Sequence, residues 1–171
     1  MRTPTIHPEH VVLGTLMQAT PTDALPHLDR LDRADFADSR GAHTYDLMDA
    51  IVGDGVPSLD PATLLGVAHR NGDMRDTNHA QLLTQWVFIA YSTTVPLVAL
   101  DFHITSLIEI SYRRRIAACA ARLAQIADHT PLSELDVHIG HLTTELDRHR
   151  ARITATTTHP TAARQVRQVA A

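Results

Sequence analysis

The sequence predicts an all-α protein, a small helical globule followed by a long helical hairpin, and three observations carry that expectation. Hydrophobic residues make up 44% of the chain and aromatics only 4%, so a core must come mostly from Ala, Leu, Ile and Val, and the Ala and Leu share favours helices. Helix-start signals recur along the first half, the clearest being Asp60 followed by Pro61. Between Pro96 and Arg152 apolar residues repeat every three or four positions in two runs separated by a short break. At 171 residues the chain is long enough to bury a real core.

The elements follow in order. From Pro8 to Met17, Val12, Leu13, Leu16 and Met17 share a helical face, with Pro8 and Glu9 suited to the first turn. A short amphipathic piece carrying Ala24, Leu25, Leu28 and Leu31 is opened by Thr22 or Asp23, so that Pro26 falls in its first turn. Asp35, Phe36 and a polar run lead to a third helix with Tyr45, Leu47, Met48 and Ile51, which stops at Gly53, Asp54 and Gly55. The fourth carries Leu64, Leu65, Val67 and Ala68 and stops near Asn71 and Gly72. A fifth, from Asn78 to Tyr91, carries Leu82, Leu83, Trp86, Val87 and Ala90.

The first hairpin arm is expected to run from Pro96, at a first helical position, to Asp128, roughly 50 Å at 1.5 Å per residue. Tyr112, Ile116, Cys119, Leu123 and Ile126 form its seam, and Leu135, Ile139, Leu142 and Leu146 form the second arm's, capped by Ser133. A rod of that length outreaches a small globule and must lie against its own second arm or another subunit. The expected organisation is a flexible N-terminus over residues 1–6, a globule over 7–95, the hairpin over 96–152 and a flexible tail over 153–171, rich in Thr, Ala, His and Pro at its start.

The first helix carries Val12-Leu13-Gly14 after Glu9, and an Asp35-Phe36 pair is followed by His43. Gly55, Pro57, Leu59-Asp60 and Thr63-Leu64 come next, then Gly72 and Met74, then Glu109 ahead of Arg114 and Arg115. In the order of its elements and of these residues the chain resembles the N-terminal domain of the bacterial replicative DNA helicase, the DnaB family, and the resemblance would start the third helix at His43. The resemblance spans about His7 to Arg152. It departs where Asp76, Thr77 and Asn78 replace a glycine pair, and where Ile108 and Ile110 flank Glu109 in place of charged residues, which makes that face stickier. What the resemblance implies is a globule plus hairpin that associates into rings through the hairpins and where primase docks, with the ATP-driven motor in a separate domain.

Composition closes off several chemistries. All 15 basic side chains are arginine and none is lysine, so a Walker A loop, whose Lys reaches the β- and γ-phosphates, cannot be present, nor can a lysine Schiff base. No enzyme activity and no cofactor are expected. A formal charge of −4 offers no general attraction for nucleic acid, so whether DNA is touched locally stays open. Cys119 is the single cysteine, which rules out an intrachain disulfide and suits a reducing, cytoplasmic compartment. Met1 to Thr5 lead into no apolar signal region, and the apolar stretch from Trp86 to Leu100 is too interrupted to span a bilayer, so no membrane association is expected.

Among candidate sites, His138 and His141 lie one helical turn apart and could share a metal with His149 or Glu145, but with neither a Cys cluster nor an H-E-x-x-H pattern they read as solvated histidines and no metal is expected. Arg113, Arg114 and Arg115 fan over about 200° of helix and cannot all face one ligand; Arg114 and Arg115 could border a partner surface, the plainer reading being a solvated basic girdle. Asp32, Asp35 and Asp38 read as loop and cap chemistry. Phe102, Ile104, Leu107, Ile108 and Ile110 spread over about 280° of the arm, to be covered either by the globule or by a partner helix.

The sequence therefore points to a non-catalytic interaction and oligomerisation module linked to DNA replication. Its expected association surface is Leu107, Ile108, Tyr112, Arg114, Ile116, Leu123, Leu135, Ile139 and Leu142, and its expected partners are copies of itself, the replicative helicase or primase. Two other readings stay open: the front part of a complete helicase, or a regulator or scaffold that kept the fold and left replication.

Overall fold

Side-chain oxygens and prolines set where the chain enters each helix of the globule. In the computed structural model, which describes residues 7–127 and 129–158, these elements are α1 (Pro8–Leu16), α2 (Pro21–Leu28), α3 (Ser39–Gly53), α4 (Pro61–Asn71), α5 (Thr77–Tyr91), α6 (Leu100–Ala127) and α7 (Leu132–Thr158). Short turns of 3-10 helix occupy Arg33–Asp35 and Leu97–Ala99, and no strand occurs among the described residues. Pro8, Pro21 and Pro61 sit in first turns, where a missing N–H costs nothing. Thr20, Asp38, Asp60 and Asp76 accept hydrogen bonds from the backbone N–H groups of Asp23, Arg40, Thr63 and His79, each satisfying a donor the helix leaves unpaired. The all-α class is as the composition predicted.

Several boundaries differ from the sequence reading. Thr20, rather than Thr22 or Asp23, caps α2, which places Pro26 beyond the first turn of a helix only 8 residues long. The missing N–H costs α2 a single backbone hydrogen bond, the one back to the Thr22 carbonyl. Asp38 starts α3 at Ser39, four residues before His43. Pro96 caps the Leu97–Ala99 turn, with Ala99 N–H donating to its carbonyl at 2.8 Å, so α6 begins only at Leu100. Its 28 residues span about 42 Å. In α7 the helix continues through Arg152 to Thr158. The remaining stretches read as flexible, residues 1–6 and the tail from 159 on, lie outside the described residues, as does Asp128.

α1 is the centre of the globule, with Val11, Val12, Leu13, Leu16 and Met17 all buried. A helix apolar on every side has to be covered on every side. α5 crosses it at Gly14, where a Cβ would sit 1.9 Å from the carbonyl oxygen of Ala90, so only glycine permits the approach. α5 contributes Leu83, Trp86, Val87 and Ala90 to the same core, and α3 contributes Leu47, Met48 and Ile51. α4 ends at Gly72 with φ +87°, a left-handed cap that suits glycine.

The hairpin is not a separate appendage at its base. Leu100, Ile104, Leu107, Ile108 and Ser111 recur at helical spacing and are buried with α1 in the globule core. Of the dispersed apolar set on this arm, Ile104, Leu107 and Ile108 face inward, while Phe102 is 73% exposed and Ile110 is 42% exposed. The first half of α6 belongs to the globule, and the second half projects with α7.

Candidate interaction site on the hairpin

The arms are anchored to the globule through the Arg33–Asp35 turn. Ser111 Oγ and Arg114 Nη2, one turn apart on α6, donate to the carbonyl of Ala34 at 3.3 and 3.0 Å, and Arg114 also reaches the carbonyl of Asp35 at 3.2 Å. From α7, Arg152 grips the Asp35 carboxylate with both terminal nitrogens, at 2.7 and 3.3 Å, and donates to the carbonyl of Arg30 at 3.3 Å. Asp35 is fully buried and also accepts from the Asp32 N–H at 2.9 Å, completing a capping box. Burial opposes the Arg152 charge, but the hydrogen bond and charge of Asp35 outweigh it and hold the guanidinium's proton more firmly than usual. Arg30, itself buried, pairs with Asp101 at the start of α6, and His27 lies 3.1 Å from the same carboxylate.

Beyond this anchor the two arms pack on each other along the expected seam, which they cover only in part. Cys119 and Leu142 are buried, while Tyr112, Leu123, Ile126, Leu135 and Leu146 are half-buried. Ile116 is 42% exposed, and Ile139 on the other arm is 43% exposed. Val137 is exposed as well. An isolated two-helix hairpin has no third layer, so its flanking apolar positions stay in water unless something else covers them.

A search of solved structures returns the N-terminal domain of the DnaB helicase from Mycobacterium tuberculosis at a TM-score of 0.62, with 86% of this chain and 94% of that chain covered and 23% of residues identical. The chain has the fold of a DnaB helicase N-terminal domain. No family model matches the sequence, and no curated protein matches it. At this identity the shared property is the fold.

Set on that DnaB-type fold, the residues expected to form an association surface divide into groups. Leu107 and Ile108 are core residues at 1% exposure each, because the first half of α6 is packed into the globule, and they are corrected from surface to interior. Arg114 is half-buried and engaged with the Ala34 and Asp35 carbonyls, so it anchors the hairpin to the globule. Tyr112, Ile116, Leu123, Leu135, Ile139 and Leu142 all lie on the projecting part, with Ile116 and Ile139 the most open.

The remaining candidates resolve similarly. Arg115 pairs with Glu145 across the arms at 2.6 Å. Asp32 and Asp38 are the caps that their positions suggested, and Asp35 is a cap that also holds an ion pair. His138 and His141 gain no third ligand, and no group of three His, Cys, Asp or Glu arranged to hold a metal occurs among the described residues. No described helix is long and apolar enough to cross a membrane.

Two partnerships carried no sequence signal. Arg152 and Asp35 are 117 positions apart, and each alone reads as an ordinary surface arginine or helix cap. Glu9, which looked like a favourable first-turn acid, is buried and accepts from the N–H groups of Ala37 at 2.7 Å and Asp38 at 3.4 Å, fixing the entry to α3 from α1.

Proposed function

We propose that this chain is a non-catalytic protein-interaction and oligomerisation module of the DnaB N-terminal-domain type, working in DNA replication. The single observation that carries the reading is the half-covered apolar seam on the projecting hairpin, with Ile116 and Ile139 open to water on a fold shared with a helicase domain. Covering such side chains is worth roughly 1.5 to 3 kcal/mol each, which favours a second hairpin or a partner helix lying along them. The surface of this reading is Tyr112, Ile116, Leu123, Leu135, Ile139 and Leu142. Its first partner is a second copy of the chain, and its further partners are the replicative helicase ring or primase. Any ATP-driven activity resides in another domain, since this sequence holds no lysine for a P-loop.

Light scattering on the purified chain tests self-association. The expected result is a dimer or larger species that Ile139→Asp converts to monomer without loss of helical signal. A wild-type monomer at every concentration, or an Ile139→Asp variant with unchanged mass, would sink the self-association reading. Mixing the chain with the host's purified helicase and with its primase tests the replication assignment separately, and co-elution with neither would overturn it.

A further inference from the structure

A polar cleft of about 460 Å³ opens between α7, the second half of α6 and the Arg33–Asp35 turn. Arg115, Arg148, Arg152, His141, His149 and Thr144 line it together with two carboxylates, Asp32 and Glu145. These side chains differ in the hydrogen-bond partners they have. Arg152 is committed to Asp35 and to the Arg30 carbonyl. Arg115 gives one terminal nitrogen to Glu145, while its buried Nε has no acceptor. Arg148 has no hydrogen bond or ion pair among the described residues. His149 is only 7% exposed, faces this cleft and likewise has no hydrogen-bond partner among the described residues. A polar atom withdrawn from water without a partner costs stability, so the buried Nε of Arg115, beside an exposed Arg148 and a His149 with no hydrogen bond of their own, marks a place for an acceptor.

We propose that this cleft binds a phosphate-bearing small ligand, with Arg148 and Arg115 gripping the phosphate oxygens and His149 donating a hydrogen bond from the floor. A guanidinium presents parallel N–H groups at the spacing of two phosphate oxygens, and Arg148 has no carboxylate of the protein occupying that fork. Burial first, and then the charges of Arg115 and Arg152, lower the proton affinity of His149, while Asp35 and Glu145 oppose them. The volume admits a pyrophosphate or the phosphates of a nucleotide, and is small for a folded partner. Because Arg115 of α6, Arg152 of α7 and Asp32 at the head of the turn all line the cleft, an occupant bridges the same junction that Arg152 and Asp35 hold.

Isothermal titration of the full chain at neutral pH and low salt, with inorganic pyrophosphate and separately with ADP, tests the assignment. The expected result is saturable binding at one site with a Kd below about 1 mM for at least one of the two probes. Arg148→Ala, which removes no hydrogen bond or ion pair among the described residues, is expected to weaken binding about tenfold or more, while Arg113→Ala, an exposed arginine outside the cleft, leaves it unchanged. Equal affinity for the probes assigns the site to the bare phosphates, and tighter ADP binding assigns it to a nucleotide. Absence of saturation with both probes, or Arg148→Ala binding as tightly as wild type, overturns the proposal.

Discussion

Arg152, in the penultimate turn of α7, closes a bidentate ion pair on Asp35, a fully buried carboxylate in the turn between α2 and α3. The pair ties the returning arm of the hairpin to the globule at a point where α6 is already pinned by Ser111 and Arg114. Both arms thus meet the same three-residue turn, which explains why the hairpin leaves the globule in one direction.

Removing one member of this pair strands the other in the interior. Arg152→Ala is expected to destabilise the protein by about 3 kcal/mol, because Asp35 keeps its burial and loses its cation. Urea unfolding followed by circular dichroism measures this. The double variant Arg152→Met with Asp35→Asn should recover part of the loss, and if it is less stable than Arg152→Ala alone the ion-pair explanation is wrong.

Glu9 supplies the acceptor for two backbone N–H groups ahead of α3, and Ala there leaves them facing apolar surroundings. Glu9→Ala is expected to cost about 1 to 3 kcal/mol. A change within about 0.5 kcal/mol, the range of ordinary surface substitutions, would show that water takes over the capping.

The two halves of α6 should respond differently to the same truncation. Leu107→Ala opens a cavity in the globule and is expected to lose about 2 to 5 kcal/mol, whereas Ile116→Ala, on the projecting part, should lose far less from a dilute monomer. Chemical denaturation at low protein concentration reads the contrast; similar losses at both positions would mean that the outer hairpin is as tightly covered as the core.

Acid should weaken the fold in two stages. Burial holds His149 neutral, helped by Arg115 and Arg152; burial holds His43 neutral against the pull of Asp73, and burial and His7 do so for His10. Below the ordinary histidine value of about 6.5 the unfolded chain takes up protons that these folded imidazoles refuse, so stability falls as pH drops from about 7 to 5. His149→Gln should make that fall shallower, and a slope equal to wild type would remove His149 from the explanation. Asp38, held ionised by Arg40, and Asp60, held ionised by Ser58 and the Thr63 N–H, lie below the ordinary carboxylate range. Their contribution is present above about pH 4 and lost as pH falls further.

Much of the architecture was legible because it is written locally. Asp60-Pro61 pairs a favoured cap with a favoured first helical residue, Gly72 ends the same helix, and the three-four spacing from Tyr112 to Ile126 marks a seam without reference to any other part of the chain. Competition between neighbouring caps was harder to read. Thr20 won over Thr22 and Asp23 because Pro21 fits the first turn behind it, and Pro96 served a 3-10 turn instead of the long arm.

By itself the sequence determined the helical class, the hairpin, the lack of a P-loop lysine and the identity of the apolar seam, all of which follow from residue type and short-range period. Only the tertiary structure decided which part of α6 is core and which is surface, sending Leu107 and Ile108 inward and leaving Ile116 and Ile139 open. It alone brought Arg152 to Asp35 and gathered Arg115, Arg148 and His149 around one cleft. The physical reason is one of range: a helix needs only its own backbone and near neighbours, whereas burial and ion pairing depend on what the rest of the chain packs against each face.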